Sequence, residues 1–159
     1  VGSEAYRILV IHSRSVADKA LAIARMHPEM NLDLTFVEEA AMLHDIGIFR
    51  CNAPDIDCHG DAEYICHGYL GAELMRAEGY PRHARVCERH TGTGITLAMI
   101  EERGLPLPHR DFMPETLEEQ LICYADKEKS VEKVKQGLSK YGNETVERFD
   151  NWCKLFLGE

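Results

Sequence analysis

The sequence predicts an all-α fold built as a helical bundle, and three observations support this prediction. Almost every segment repeats its apolar residues at helical spacing. No segment shows the sustained alternation of apolar and polar residues that indicates a half-buried strand. A length of 159 residues, 45% of them hydrophobic, suits one soluble domain with a core of its own. We therefore expect residues 1–159 to form a single domain.

The first two helices are predicted from apolar faces and from helix-end signals. Residues 4–26 carry one continuous apolar face, which predicts the first helix. Thr35 and Glu38 have the spacing of a capping box, so we expect the second helix to begin there. Gly47 is expected to end this helix, because glycine is common just past a helix C-terminus.

A loop and two further helices are predicted in the middle of the chain. Gly, Pro, Asn and Asp dominate residues 48–61, which we interpret as a loop. A third helix is expected over about 62–78, ended by the sequence GYP. Pro81 suits the first turn of a short fourth helix over 81–90.

The last third of the chain contains three more helix predictions. Thr96 is expected to cap a fifth helix that ends at Gly104. Thr116 and Glu119 form a second candidate capping box at the start of a sixth helix. Residues 144–157 repeat large apolar residues at helical spacing, which predicts a final helix that packs on the core.

Composition and charge exclude several classes of partner. The net charge of −9 and the absence of a basic stripe argue against a nucleic-acid partner. No apolar run approaches the roughly 20 residues that cross a bilayer, so no membrane partner is expected. Four of the six cysteines lie in helical patterns, where cysteine is usually a small buried side chain. We therefore expect reduced thiols and a cytoplasmic protein.

Five predicted helices each carry an ionisable side chain on the face expected to meet the core. Taken singly, a histidine on such a face is more often a hydrogen-bonded core residue than a ligand. Burying several histidines and carboxylates without compensation is costly, and a metal is their simplest common partner. The sequence therefore predicts a metal site. The residues on these faces are His12, His44, His67, His90 and Asp126.

These residues and the sequence around them resemble the HD-domain superfamily of metal-dependent phosphohydrolases. The resemblance rests on the ordered histidines and on Asp45 within the segment LHDIG. It covers residues 8–130 and leaves 131–159 as C-terminal packing helices. The segments HGYLGAELM, ERHTGTG and EEQLICYADK also resemble HD-type diadenosine tetraphosphate hydrolases, and still more closely a set of uncharacterised HD hydrolases.

The resemblance implies a di-metal centre. Iron is the expected metal, with manganese, cobalt, nickel or zinc as alternatives. The implied ligands of the first ion are His12, His44, Asp45 and Asp126; those of the second are His67 and His90, with Asp45 bridging.

One histidine is ambiguous in this assignment. His59 lies eight residues before His67, and either residue matches the family's third histidine. We choose His67, because the amphipathic helix that follows it is the one the family has at that place. His83 is interpreted as a core or supporting residue and not as a seventh ligand.

The implied function is hydrolysis of a nucleotide or another small phosphate ester by a metal-activated water. Asp45 and Lys127 are expected to be catalytic, and His59 is a candidate general acid. Each candidate also has a simpler explanation as a solvated or ion-paired side chain. The residues expected to contact the phosphates are Arg14, Arg50, Thr91 and Lys127.

Two other functions are compatible with the same ligands. Some di-iron HD proteins are oxygenases, which need a mixed-valent or reduced iron pair and consume O₂, whereas a hydrolase should work with Mn²⁺ or Co²⁺. A non-catalytic module that binds nucleotides is the third possibility. A homodimer is possible, and the pattern does not name the substrate.

Overall fold

Helices account for most of the computed structural model, which describes residues 3–127 and 129–158. The all-α prediction is confirmed, and the helical order follows the sequence prediction closely. The α-helices of the described chain are α1 (Glu4–Met26), α2 (Leu34–Leu43), α3 (His67–Ala77), α4 (Pro81–Glu88), α5 (Leu97–Arg103), α6 (Leu117–Ala125), α7 (Val131–Leu138) and α8 (Asn143–Leu157).

The second helix begins earlier than its predicted capping box. Asp33 is the N-cap, and its carboxylate accepts a hydrogen bond from the backbone N–H of Phe36 at 3.1 Å. Thr35 therefore lies inside the first turn, and the prediction that it caps the helix is wrong. The physical reason is that an ionised carboxylate at Asp33 also interacts favourably with the positive end of the helix dipole.

The caps predicted for the fifth and sixth helices are confirmed. The Thr96 hydroxyl accepts from the N–H of Met99, and Gly104 ends α5 in the left-handed conformation at φ 59°. Thr116 and Glu119 form the complete capping box of α6. Local sequence determined these helix ends because the capping hydrogen bonds join residues of the same helix terminus.

The predicted loop between α2 and α3 contains short regular structure. The strands β1 (Asn52–Ala53) and β2 (Cys58–His59) pair antiparallel, with Asn52 opposite His59. The expectation of no strand is wrong here, because strands of two residues are too short to show alternation. The third helix also begins later than predicted, at His67, because a 3₁₀ turn over Tyr64–Cys66 precedes it.

The main core lies between α1, α2, α6 and α8. In its interior, the ring of Tyr124 stacks on Phe149 with centroids 5.6 Å apart. All six cysteines are free thiols in the structure. None of the described helices is both long and apolar enough to cross a membrane. The fully buried side chains of this core include Val16, Val37, Leu121, Ile122 and Phe156.

Gly47 does not end α2 by a left-handed turn, so that prediction is also wrong. It lies in a 3₁₀ helix, Ile46–Arg50, which packs directly against α3. A Cβ atom at Gly47 would stand 2.0 Å from the carbonyl oxygen of His67 and 2.4 Å from the amide nitrogen of Gly71. The glycine is required because two backbone segments touch at this point.

A buried carboxylate ties α3, α4 and the segment before α6 together. Glu88 has no exposed side-chain surface and receives both Nη atoms of Arg76 at 2.8 Å. Arg110 donates a third bond to it at 3.1 Å. Burial alone would raise the pKa of Glu88, yet Arg76 and Arg110 hold that pKa below its ordinary value. Glu88 therefore stays ionised.

We expect Glu88→Ala to destabilise the fold by about 3 kcal/mol. This value is at the lower end of the cost of breaking a buried ion pair, because the two arginines still reach solvent. Urea unfolding would measure the change. Glu101→Ala, which removes an exposed carboxylate from α5, is the matched control. A loss as small as that of the control would contradict a stabilising role for Glu88.

Candidate metal centre

Six histidine and aspartate side chains converge where α1, α2, α3, α4 and α6 meet. Most of them lie at helix ends and not in helix interiors. His44 and Asp126 follow the last residues of α2 and α6, His67 is the first residue of α3, and His90 lies two residues beyond α4. The imidazoles of His44, His67 and His90 are buried.

Four of these residues form a first group around two carboxylates. His12 Nε2 lies 2.9 Å from Asp126 Oδ1 and 3.3 Å from Asp45 Oδ2. His44 Nε2 lies 3.2 Å and 3.3 Å from the same two oxygens. The ligand atoms of all four lie within 4.8 Å of one another, so they could hold one metal ion.

Asp45 also belongs to a second group. Its other oxygen, Oδ1, lies 3.2 Å from His67 Nε2 and 3.0 Å from His90 Nε2. These three residues could hold a second ion. The two carboxylate oxygens of Asp45 thus face different groups, which is the arrangement a bridging ligand needs.

The three buried imidazoles are oriented in the same way. The Nδ1–H of each donates to the backbone carbonyl three residues earlier: His44 to Ala41 at 2.6 Å, His67 to Tyr64 at 2.7 Å, and His90 to Cys87 at 2.6 Å. Because a carbonyl only accepts hydrogen bonds, Nδ1 must carry the proton. Each Nε2 is then left with its lone pair directed into the site, as in metal-binding histidines.

The carboxylates of the site remain ionised despite their burial. Burial would raise the pKa of Asp45, but His44, His12 and His67 hold it well below its ordinary value. Burial likewise opposes ionisation of Asp126, and Lys127, His12 and His44 lower its pKa. Such a concentration of negative charge needs a cation close to it.

The same two carboxylates raise the pKa of two of the histidines. Hydrogen bonds to Asp126 and Asp45 raise the pKa of His12 to about 10. Burial lowers the pKa of His44, but Asp45 and Asp126 overcome this effect and raise it well above the ordinary value. Both shifts show that the two carboxylates favour positive charge at this place.

The distance between the two imidazoles of the second group shows whether a metal ion fits there. The Nε2 atoms of His67 and His90 lie only 2.9 Å apart, although each Nδ1–H already points at a carbonyl. Two lone pairs can face each other at this distance only with a proton or a metal ion between them. The donor set of imidazole nitrogens and carboxylate oxygens suits divalent transition metals, so a metal fits.

Two cavities border the site, and both are lined by His12. One has a volume of about 200 Å³ and is lined mainly by apolar residues, with Asp45 and Tyr64 beside them. The other has a volume of about 410 Å³ and is lined by Asp126, Lys127, Lys129 and Lys133 among others. The site is therefore open to small molecules from two sides.

Lys127 lies beside the first group, as the sequence suggested. Its Nζ is 3.6 Å from Asp126 Oδ2 and donates to the carbonyls of His90 and Cys123 at 3.1 and 3.0 Å. Burial lowers the pKa of Lys127, yet its neighbours Cys123 and Asp126 leave it raised. The ammonium group is thus held in place with its charge.

His59 is not brought into either ligand group. It lies on β2, its side chain is 68% exposed, and its Nε2 is 2.8 Å from Asp57 Oδ1. The two cavities beside the site are lined by other residues of the described chain. A role as general acid stays a prediction.

The other predicted phosphate contacts lie farther out. Arg14 pairs with Asp18 and Glu38 at 3.0 and 2.9 Å, in a separate cavity that His83 also lines. Arg50 is exposed and lies 3.9 Å from Glu73. Thr91 lines a small pocket beside Tyr141. None of these three is among the described residues that line the two cavities beside the ligand groups.

Sequence reasoning missed the side chains that border the cavities. Lys129 and Lys133 line the larger cavity, and Tyr64 lines the smaller one. The ring of Tyr64 lies 4.6 Å from that of His67. The repeated lysines of residues 127–135 were the available signal, but such a run usually marks a solvated helix face.

Comparison with known proteins finds a family model and several relatives that match this chain. The family model described as HD domain matches residues 9–129. The chain is 32% identical over 143 residues to a tRNA (cytidine(56)-2'-O)-methyltransferase of Picrophilus torridus, and 34% identical over 119 residues to one of Thermoplasma volcanium. It is 37% identical over 121 residues to an uncharacterised protein of Methanocaldococcus jannaschii.

These matches cover most of this chain but only part of each relative. They include 87% of this chain for the Picrophilus protein and 74% for each of the other two. The chain spans 37% and 30% of the two methyltransferases and 64% of the Methanocaldococcus protein.

A solved structure has the same fold. It is the HD domain of the L. monocytogenes phosphodiesterase PgpH in complex with cyclic-di-AMP, with a TM-score of 0.51 and 16% identity. The superposition covers 86% of this chain and 77% of that one.

Proposed function

The chain belongs to the HD domain family, and on this premise we propose that it is a metal-dependent phosphohydrolase that acts on a nucleotide. The observation that carries the proposal is the position of Asp45 between two groups of metal-ligand side chains. We propose that His12, His44, Asp45 and Asp126 bind one divalent ion and that His67, His90 and Asp45 bind another. Iron is the metal we propose for both.

Metal ions bound here would supply a water of lowered pKa and would neutralise charge on the reacting phosphoryl group. The protein's own contribution is orientation. The carbonyls of Ala41, Tyr64 and Cys87 fix three imidazoles with Nε2 directed inward. Lys127 keeps Asp126 ionised and adds a fixed positive charge at the edge of the larger cavity, where a phosphate oxygen would lie.

The lysines beside the site favour phosphate chemistry over oxygenation. Lys127, Lys129 and Lys133 line the cavity next to Asp126. Cationic side chains at this position suit a substrate with several negative charges, as a nucleotide with more than one phosphate has. The cyclic-di-AMP in the L. monocytogenes structure supports a nucleotide as the substrate class.

We do not propose methyl transfer for this chain. The relatives named tRNA methyltransferases are matched over only 37% and 30% of their length. The ionisable groups that converge here are of the types that bind metal ions able to activate water. We propose that this chain corresponds to a hydrolase domain of those longer proteins.

Metal analysis combined with turnover tests the proposed function. We expect two transition-metal equivalents per chain in protein purified without oxygen or chelators. After replacement by Mn²⁺, the protein should still release nitrophenol from bis(p-nitrophenyl) phosphate without oxygen uptake. Turnover that requires iron and consumes O₂ would identify an oxygenase. Nucleotide binding without turnover on any metal would identify a binding module.

A further inference from the structure

We infer that the substrate spans both cavities, with an aromatic ring beside Tyr64, a reacting phosphoryl group at the ligand groups, and a further phosphate on Lys129 and Lys133. The inference rests on the proposed function and names the substrate class as a nucleoside 5′-polyphosphate. It follows from the opposite character of the two cavities and from the position of His12 in both.

The smaller cavity is suited to a ring. Besides its polar edge of His12, Asp45 and Tyr64, its lining is apolar, and its volume of about 200 Å³ is below the ~300–1,000 Å³ typical of sites for whole drug-sized ligands. The Tyr64 side chain is 55% exposed, although its ring lies against His67. An exposed aromatic face at this place offers a surface on which a base can stack. The apolar residues lining this cavity are Ala5, Ile8, Leu9, Ile48 and Ile56.

The larger cavity is suited to anions. Lys129 and Lys133 line it, and neither has an ion-pair partner among residues 3–127 and 129–158. Both lysines also line an adjoining groove of about 630 Å³, in which Lys140 is a third cation. In a chain with a net charge of −9, such a local concentration of lysines attracts an anion to one place.

The order of the groups along the substrate follows from His12. This residue lines both cavities and lies 2.9 Å from Asp126 and 3.3 Å from Asp45. The group between the ring and the distal phosphates is therefore the one beside the ligands. In a nucleoside triphosphate this is the α-phosphoryl group.

The reaction that fits this order breaks the bond between the α-phosphorus and the oxygen that bridges to the β-phosphorus. The oxygen of one water bonds to the α-phosphorus, and the bridging oxygen leaves with its electron pair on pyrophosphate. The protons of the water pass to the products and to solvent. The products are a nucleoside monophosphate and pyrophosphate, whose charge the lysines would stabilise.

Binding measurements test the aromatic-ring side and the phosphate side of the inferred site separately. We would titrate the Mn²⁺-loaded full chain in a calorimeter with three probes: AMP, inorganic pyrophosphate and α,β-methylene-ATP. Tyr64→Leu, which retains the backbone carbonyl that orients His67, should weaken the binding of AMP about tenfold and leave the affinity for pyrophosphate within twofold of its original value. Lys129→Gln combined with Lys133→Gln should weaken pyrophosphate about tenfold and leave AMP within twofold. Both should weaken α,β-methylene-ATP.

Matched controls come from the same kinds of residue elsewhere. Tyr80 is similarly exposed but lines a separate cavity, and Lys135 lies on α7 but pairs with Asp150. Tyr80→Leu and Lys135→Gln should leave all three affinities unchanged. If the Tyr64 and lysine variants weaken every probe equally, or none, the two-sided site is wrong.

Turnover separates this inference from the proposed function. If bis(p-nitrophenyl) phosphate is hydrolysed but the two variants do not affect AMP and pyrophosphate binding differently, the hydrolase function is supported and the two-sided site is wrong. If the variants affect AMP and pyrophosphate differently as expected, but the protein shows no turnover with any metal, the two-sided binding site is supported and the proposed hydrolase function is wrong. Release of inorganic phosphate from ATP, instead of AMP and pyrophosphate, would overturn the inferred order of groups.

Discussion

Replacement of Asp45 by alanine is expected to remove both of the proposed metal ions and to lower the proposed hydrolysis to the level of the uncatalysed reaction. Each of its carboxylate oxygens lies within 3.3 Å of two imidazoles, and those imidazoles belong to different ligand groups. A variant without this carboxylate leaves neither group complete. Loss of the negative charge of Asp45 also removes much of the electrostatic attraction that draws a cation to the buried imidazoles.

Elemental analysis and turnover would be measured together on the Asp45→Ala protein. His67→Ala should lose one metal equivalent and keep the other, because His67 belongs only to the second group. Asp18→Ala removes an exposed carboxylate from α1 and is the matched control, which should keep both ions. An Asp45→Ala protein with two metal equivalents and normal turnover would show that Asp45 is not a ligand.

Gly47→Ala is expected to destabilise the protein by about 4–5 kcal/mol, which is exceptional for one methyl group. The added carbon would lie 2.0 Å from the His67 carbonyl oxygen and 2.4 Å from the Gly71 nitrogen. Both neighbours are backbone atoms of α3, so no side-chain rotation can relieve the overlap. The 3₁₀ helix Ile46–Arg50 and α3 would have to separate, and this would move His67 away from Asp45.

Chemical denaturation would measure the loss of stability, and metal analysis of any folded fraction would measure the displacement of His67. The control is Gly137→Ala in α7, where a Cβ atom meets nothing within 4 Å. That substitution should stabilise the helix by up to about 1 kcal/mol. Equal behaviour of the two alanine variants would mean that the backbone contact at Gly47 is easily relaxed.

The convergent side chains could be predicted from the sequence because histidines and carboxylates are unusual on helix faces that are expected to meet the core. In the sequence, apolar residues at helical spacing accompany the four histidines, and this pattern predicted that their side chains point inward. The four are His12, His44, His67 and His90. The positions of the helix ends were harder to predict. His67 starts α3, although the helical pattern extends upstream to residue 62, because a 3₁₀ turn intervenes. Such an end depends on contacts with distant segments.

The residues that border the cavities could not be found in this way. Tyr64 and Lys133 belong to residue types that are common on any protein surface, and only the folded chain brings them beside His12. Gly47 was expected to end a helix, since a sequence does not reveal which distant backbone approaches a glycine. Asp33 caps α2 in place of the predicted Thr35, because aspartate and threonine both suit an N-cap and the predicted box covered only Thr35 and Glu38.

The hydrogen bonds from His44, His67 and His90 to carbonyls three residues earlier make each ligand a four-residue unit. The direction of each imidazole is encoded within its own turn, so the connecting segments are free to change in length and sequence. The hairpin of β1 and β2 between Asp45 and His67 is such a segment. Insertions there should alter which molecules reach the candidate site while the three imidazoles keep their orientation. Substrates could therefore change during evolution while the proposed metal centre stays the same.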